Sequence, residues 1–578
     1  LPMGGRRAGV YGGECRRPAR ETGRPRAPYS IGHTKRCLVP SANRPLPPRR
    51  RVLTRRHALT LPLLTLAVGA AAACNDSVPV PTAVAPSADG SSTPGAASPS
   101  AAPTAVDTRL ENVLGGHTLD VRIGPLVRVD ESSSILCLHV DRPSDDPIQD
   151  GELGVGDRWV GTVVHDLTAT RPLRMVDPDA GRVWVTTRGA VAGLPGVKAG
   201  GSADYHPTFG GVGPEVTSVT VMLSDTGFFE VPVVDAGAVP DLDAQAVLKE
   251  AEPDQNRAAP LALERYVEAV DRSTSELTTD DSVKVTVSND VSFESDSADL
   301  SADAEGILKG VSDTIASYPD GGTLAVTGHT DDVADDAYNQ TLSEKRAQAV
   351  SDRLGQLTPL SAWTVQTTGK GETEPRAQGT DDAARAANRR VEIVITPTGG
   401  TKPDAPQTPG GGDAPQAAGP SAKGPDGVSV SSGADDPGVT IVLDKVTRRG
   451  GLLFGEFVVS GNDQKLKFLS TYFRDSAGFG LNNARGELGG VSSIVAASGV
   501  TLISGGNYVF PVDYLPVGAD SHRPLADLNL ISLSEDGRSA RICMAWPDTG
   551  EKTVIVDRPA DSKYTPVPWR LTDVPVEG

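Results

Sequence analysis

The order of apolar and polar positions divides the chain into stretches with different periods. Residues 107–240 alternate in short runs such as Leu119-Asp120-Val121-Arg122-Ile123 and Ile135-Leu136-Cys137-Leu138-His139-Val140, with turn residues between them. Period-two alternation in many short runs predicts an antiparallel β-sandwich domain. In residues 241–279, Leu263, Val267 and Val270 stand at helical spacing and predict a helical connector. Residues 398–436 are rich in Pro, Gly and Ala without an apolar period, and read as a flexible linker. Alternation returns over 437–578, in Val439-Thr440-Ile441-Val442-Leu443 and Phe454-Gly455-Glu456-Phe457-Val458-Val459, and predicts a second β domain. Each β unit opens with a strand, a charged turn (Arg128-Val129-Asp130-Glu131, Arg448-Arg449-Gly450) and another strand, which reads as two divergent copies of one module. The two are expected to fold separately, so that proteolysis within the linkers releases stable fragments.

Residues 280–397 follow a different rule, strands in alternation with helices. Val283-Lys284-Val285-Thr286-Val287 is a strand; Ser301 then caps a helix whose first turn holds Asp303 and Glu305, where the helix dipole favours carboxylates. Leu300, Ile307, Leu308, Val311 and Ile315 keep one apolar face on it. A strand over 323–327 leads through Gly328-His329-Thr330-Asp331 into a long helix over 336–357, and strands over 364–367 and 391–395 follow. The order β-α-β-α-β-β predicts an α+β sandwich with helices on one face, so the chain is expected to be multidomain, with this sandwich flanked by two all-β, sandwich-like domains.

Within the long helix one residue breaks the pattern. Val350, Leu354 and Leu357 mark an apolar stripe, and Arg346 falls near its centre, with Asn339 two turns before it. A guanidinium there must find a partner, because an unpaired buried charge costs several kcal/mol. The nearest candidate along the chain is Asp331, in an internal ion pair that would lock the loop.

Composition and charge narrow the function. The chain of 578 residues has 55 Lys+Arg and 74 Asp+Glu, but residues 1–56 hold 15 of the basic and only 2 of the acidic ones. The remainder is therefore strongly acidic and repels nucleic acid. No CxxC, HExxH, GxSxG or Walker pattern occurs, so the familiar metal and nucleophile signatures are missing and no cofactor is expected. Cys137 and Cys543 lie in different β units, either as two buried thiols or as an interdomain disulfide.

The amino-terminal stretch reads as targeting information rather than fold. Residues 1–51, rich in Pro, Arg and Gly, look like a disordered upstream extension from a start codon placed too early. Residues 52–73 hold Arg55-Arg56 and an apolar run from Leu59 to Ala73, too short to span a bilayer and suited to a signal peptide. The arginines suit general or twin-arginine export alike. Ala71-Ala72-Ala73 before Cys74 resembles a bacterial lipobox, which implies acylation of Cys74. Residues 74–106 would then be a lipid anchor and flexible linker.

Further residues in the central segment carry a family resemblance. Gly328-His329-Thr330-Asp331, then Tyr338-Asn339-Gln340-Thr341-Leu342-Ser343-Glu344-Lys345-Arg346-Ala347, resemble the OmpA/MotB/Pal peptidoglycan-associating motif. So do Phe293…Ser297-Ala298-Asp299-Leu300, Gly369-Lys370-Gly371-Glu372…Pro375 and Asn388-Arg389-Arg390-Val391. The resemblance implies binding of peptidoglycan through the diaminopimelate of its stem peptides. Asp331 would take the ammonium and Arg346 the carboxylate, a pairing that suits a bidentate guanidinium. Asp296 and Thr330 near the loops, with Asn339 and Arg389 at the rim, would support them or serve only as local caps. The family's usual Gly three residues after the Asp is Ala334 here; a positive φ at that position would cost about a kcal/mol.

The sequence thus implies a non-catalytic envelope lipoprotein, exported and facing the cell wall, with peptidoglycan, the membrane and unidentified proteins on its β domains as partners. The competing class is a wall-targeted envelope enzyme with its active site in a β domain.

Overall fold

The computed structural model describes residues 105–578 apart from 150, 157–158, 160–172, 188–193, 295–296, 403–412, 434–435, 462–468, 475–495, 520, 529–538 and 561–566. Residues 1–104, with Cys74 and the export and linker assignments made for them, lie outside the described residues, as does Asp296.

In the amino-terminal β unit the strands Val106–Val113, His117–Asp130 and Ser133–Arg142 form an antiparallel meander, with Leu119 opposite Leu110 and Ile123 opposite Leu138. The hairpin Ser218–Leu223 and Gly227–Asp235 returns at the end, and its second strand runs parallel to His117–Asp130. The carboxy-terminal unit takes the same path. Val439–Val442 and Val446–Arg449 lie opposite Leu452–Gly461, and the closing strand Trp569–Glu577 runs parallel to Val446–Arg449. One arginine does the same work in both: Arg128 donates to the carbonyls of Gly213 and Val216 ahead of the final hairpin, and Arg448 to that of Glu551.

Between them the central segment forms a sheet in the order Trp363–Gly369, Gly322–Gly328, Arg390–Pro397, Val283–Ser288. The first pair is parallel and the other two antiparallel. Helices Ala302–Ala316 and Asp336–Leu357 cover one face, packing Ile307, Val311, Ile315, Val350 and Leu354 on Leu324, Val326, Ile393 and Ile395. Ser301 caps the first helix by accepting from the Ala304 amide, with Asp303 and Glu305 in the first turn. A third, short helix, Asp382–Asn388, precedes the strand Arg390–Pro397.

Three expectations are corrected. The region read as a helical connector holds one short α-helix, Ala244–Ala251, a 3-10 turn, Gln255–Arg257, and then the strands Leu261–Ala262, Arg265–Ala269 and Thr274–Thr278. Glu252 ends the α-helix in a left-handed conformation and Pro253 follows it. Val267 instead pairs with Glu276 on one side and Val509 on the other, long-range partners that a local period does not reveal. The stretch read as a flexible linker contains Ser421–Lys423, paired with Trp569–Glu577, and Val428–Val430, paired with Val439–Val442.

Finally, the β units are not independent bodies. Met222 and Phe228 of the first share one buried cluster with Leu452, Phe454, Leu525 and Cys543 of the second, and the Phe228 and Phe454 rings lie 4.7 Å apart. Glu456 accepts from the Phe228 amide, and Asp527 from the amides of Cys543 and Asp225, while buried Arg174 donates to the Ala526 carbonyl. Burial raises both carboxyls, Glu456 and Asp527, above their ordinary range. Cys137 and Cys543 are free thiols.

A specific protease site placed within 403–412 and then cut should leave the two pieces co-eluting as one particle. Separation on a sizing column under native conditions would contradict the shared core. Asp527→Ala, which strands the amides of Cys543 and Asp225, should cost about 2–4 kcal/mol in denaturant unfolding.

Candidate functional site

The topology of the central sheet gathers polar residues at one end. Gly328 lies opposite both Gly369 and Val391, and Ser288 opposite Arg390. The chain segments that leave the strands there carry Asp290, Asp331 and Glu372, and Arg389 enters beside them. Two glycines let the long helix close over this end. A Cβ at Gly328 would stand 2.2 Å from the Ser343 carbonyl, and one at Gly369 2.5 Å from the Glu344 amide. Helix side chains then bind the loops: Ser343 Oγ accepts from the Gly371 amide, and Gln340 Nε2 donates to the Gly369 carbonyl.

Asn339 is buried and its Nδ2 lies within hydrogen-bonding distance of Glu372 Oε2 (2.7 Å) and the Asp331 and Ala334 carbonyls (3.2 Å each). It therefore stitches the helix to both loops. Ala334 does not have a positive φ, so the strain anticipated from the missing glycine is absent. The acidic run around it is used locally: Asp335 caps the helix at Tyr338, and Asp332 pairs with Arg385 at 2.8 Å, which holds its carboxyl below the usual range.

Asp331 does not pair with Arg346. Its Oδ2 accepts from Arg389 Nη1 at 2.7 Å, and Arg389 in turn donates Nε and Nη2 to the two oxygens of Asp290, each at 2.7 Å. Those bonds, Asp290 foremost, raise the Arg389 guanidinium above its usual range. Arg346 is buried on the helix, its Nε donating to the Ser297 carbonyl at 2.9 Å and its guanidinium 5.1 Å above the Phe293 ring. It thereby fixes the turn that follows Phe293 onto the helix. The internal ion pair inferred from sequence is thus replaced by one to a residue 58 positions away.

A cavity of about 150 Å³ opens at this end, lined by Thr330, Asp331, Asp332, Glu372, Gln378 and Asn388 among others. The Thr330 amide donates to the Gly371 carbonyl, while its buried Oγ1 has no hydrogen-bond partner among the described residues. Of the residues singled out from sequence, the structure places Thr330 and Asp331 on the cavity and Asn339 and Arg389 in direct contact with Asp331. Arg346 serves the neighbouring turn. Sequence reasoning missed Asp290 and Arg385, and named Glu372 within the motif without giving it a role. Only the paired arginines at the start of a strand signalled that one of them must point to the loops, since neighbours on a strand face opposite ways.

Below the cavity His329 is buried, and neither ring nitrogen has a hydrogen-bond partner among the described residues. Burial first, and then nearby Arg390, lower its pKa to about 4.

A small α+β domain with a charged cavity at its strand ends is thereby defined. Residues 292–389 match the model of the OmpA family, so this segment is an OmpA-family domain. Outer membrane porin F of Pseudomonas aeruginosa is 41% identical over 111 residues, 19% of this chain and 31% of the porin. The probable lipoprotein YiaD of Escherichia coli is 33% identical over 118 residues, 20% of this chain and 52% of that protein. The chain thus spans between about a third and half of these relatives. Among solved structures, the cell wall anchor of the T6SS from Pseudomonas aeruginosa is 32% identical, covering 22% of this chain and 90% of that one with a TM-score of 0.20.

Because the folded-state pKa of His329 lies below its ordinary value of 6.5, the unfolded chain binds the proton first. This contribution to stability is complete above pH 6.5 and is lost as the pH falls towards 4. The loss amounts to about 3 kcal/mol over that window. His329→Leu should flatten the difference in unfolding free energy between pH 7 and pH 4.5; an unchanged slope would show that another group titrates.

Proposed function

We propose that the OmpA-family domain binds peptidoglycan through the diaminopimelate of its stem peptides, and that the protein ties a membrane to the cell wall without catalysing a reaction. The observation that carries this reading is Asp331 on a small cavity at the strand ends, inside the matched segment. The side-chain end of diaminopimelate bears an ammonium and a carboxylate on one carbon. Asp331 takes the ammonium in exchange for its single contact with Arg389, and Arg346 supplies the guanidinium for the carboxylate. Thr330, Asn339 and Arg389 complete the surroundings, and Asp296, outside the described residues, belongs to the same reading. Relatives named as an outer membrane porin and a probable lipoprotein support an exported protein of the cell envelope. The lipid anchor at Cys74 and the protein partners of the β units belong to the same reading.

The full chain should co-sediment with diaminopimelate-containing walls. Asp331→Ala and Arg346→Ala should each weaken binding by about 2–5 kcal/mol, mostly through the partner charge left unpaired. A melting curve for each variant separates lost binding from lost fold. If both stay folded and sediment like wild type, the cavity is not the wall site.

For the anchor, incorporation of labelled palmitate should disappear in Cys74→Ser. Equal labelling of the variant would exclude acylation at this cysteine.

A further inference from the structure

We infer that Asp290, outside the cavity and assigned no part in the binding above, is the positioning residue that keeps Asp331 able to accept a cation; this rests on the peptidoglycan reading of the same site. The geometry is unequal in a telling way. Arg389 gives Asp290 two hydrogen bonds, Nε to Oδ1 and Nη2 to Oδ2, and gives Asp331 one, Nη1 to Oδ2. A fork on both oxygens is the stronger arrangement for a guanidinium. Asp290 is therefore the residue on which Arg389 is seated, and Asp331 its second, single contact.

The charges follow from that seating. Two carboxylates share one guanidinium, which leaves a net charge of −1 on the three groups. The nearby Arg385 does not supply the missing cation, since its Nε is bound to Asp332. Asp331 is the member on the cavity, with its side chain only 14% exposed, so water screens the uncompensated charge poorly there. Thr330 Oγ1, buried on the same wall without a hydrogen-bond partner among the described residues, adds a neutral acceptor. The site is thus short of one positive charge and of one donor, and an ammonium provides both. It displaces one Arg389 contact from Asp331 while the guanidinium keeps its place on Asp290.

Without the Asp290 charge the balance changes. Arg389 and Asp331 then form a neutral pair, the guanidinium turns its fork onto Asp331, and an arriving ammonium must compete with it. Asp290 is half-exposed and its removal empties no core, so the effect is expected in binding rather than in folding.

The test uses the full chain, with free diaminopimelate and isolated walls as probes, and a melting curve for every variant. Asp290→Asn should bind both probes about three- to fivefold more weakly, the loss of one charge contact at a half-exposed pair. Asp290→Glu, which keeps the charge, should bind like wild type. The double variant Asp290→Asn/Arg389→Gln removes seat and occupant together, restores the net charge of −1, and should bind more tightly than Asp290→Asn alone. A purely structural Asp290 would make the double variant worse than either single one, and that result overturns the proposal. So does Asp290→Asn binding like wild type, which leaves the peptidoglycan reading standing. If wild type binds neither probe, that reading fails and this one with it.

Discussion

Register in the central sheet is the constraint on which the site depends. Because Gly328 is set opposite Gly369 and Val391, the loops after two parallel strands and the entry to an antiparallel one leave the sheet at a single end. A shift of one residue would turn every inward side chain to the other face and send Asp331 and Arg389 apart. The register is held by burial, since Leu324, Val326, Ile393 and Ile395 reach the helices only in this alignment. It is also held by close approach, since the glycines at positions 328 and 369 admit the helix backbone where any side chain would push it away. Apolar packing thus fixes a geometry in which the polar chemistry takes place.

The chemistry itself is a problem of charge accounting. Arg390 lies buried behind Arg389, held by Glu392 and by the carbonyls of Asn388 and Glu374, and after burial it is the next cause of the lowered His329 pKa. The cavity therefore has a cationic back wall that is already compensated and an anionic front that is not. Arg346 contributes at a distance from that front, through the turn it ties to the helix with the Ser297 carbonyl and the Phe293 ring. On the proposed reading, the ammonium of a ligand would meet carboxylate first and its carboxylate would have to be met from the Arg346 side, a division that a zwitterion with both charges on one carbon would suit.

Much of the central domain was legible in the sequence because its signals are local. The serine cap at Ser301, the acidic first turn and the apolar stripe through Val350 and Leu354 each operate within a few residues, and the helices appear where those residues require them. Arg346 stood out on an apolar face for a sound reason: it is buried there. What local signals do not carry is the choice of partners. Asp331, weighed as an internal partner of Arg346 before the family resemblance, pairs with a residue 58 positions on, brought back by the sheet. The same limit hid the strands Arg265–Ala269 and Thr274–Thr278, whose neighbours include residues 507–509. Strands of two or three residues in a Pro- and Gly-rich stretch, such as Val428–Val430, carry too few positions for alternation to show.

These long-range pairings change how attachment to a wall would work in this protein. A domain on a flexible linker transmits little force to its neighbours until the linker is taut. Here Val283–Ser288 pairs with Thr274–Thr278, which pairs with Arg265–Ala269, which pairs with Asn507–Val509, so backbone hydrogen bonds run without interruption from the cavity's sheet into the carboxy-terminal β unit. That unit shares one buried cluster with the amino-terminal one. Load applied to the central domain would therefore pass through paired strands, which must be sheared past one another, or the shared cluster opened, before the β units part from it. On the proposed reading, whatever the β units bind would be carried on the same paired strands as the wall site, which a chain of tethered modules would not provide.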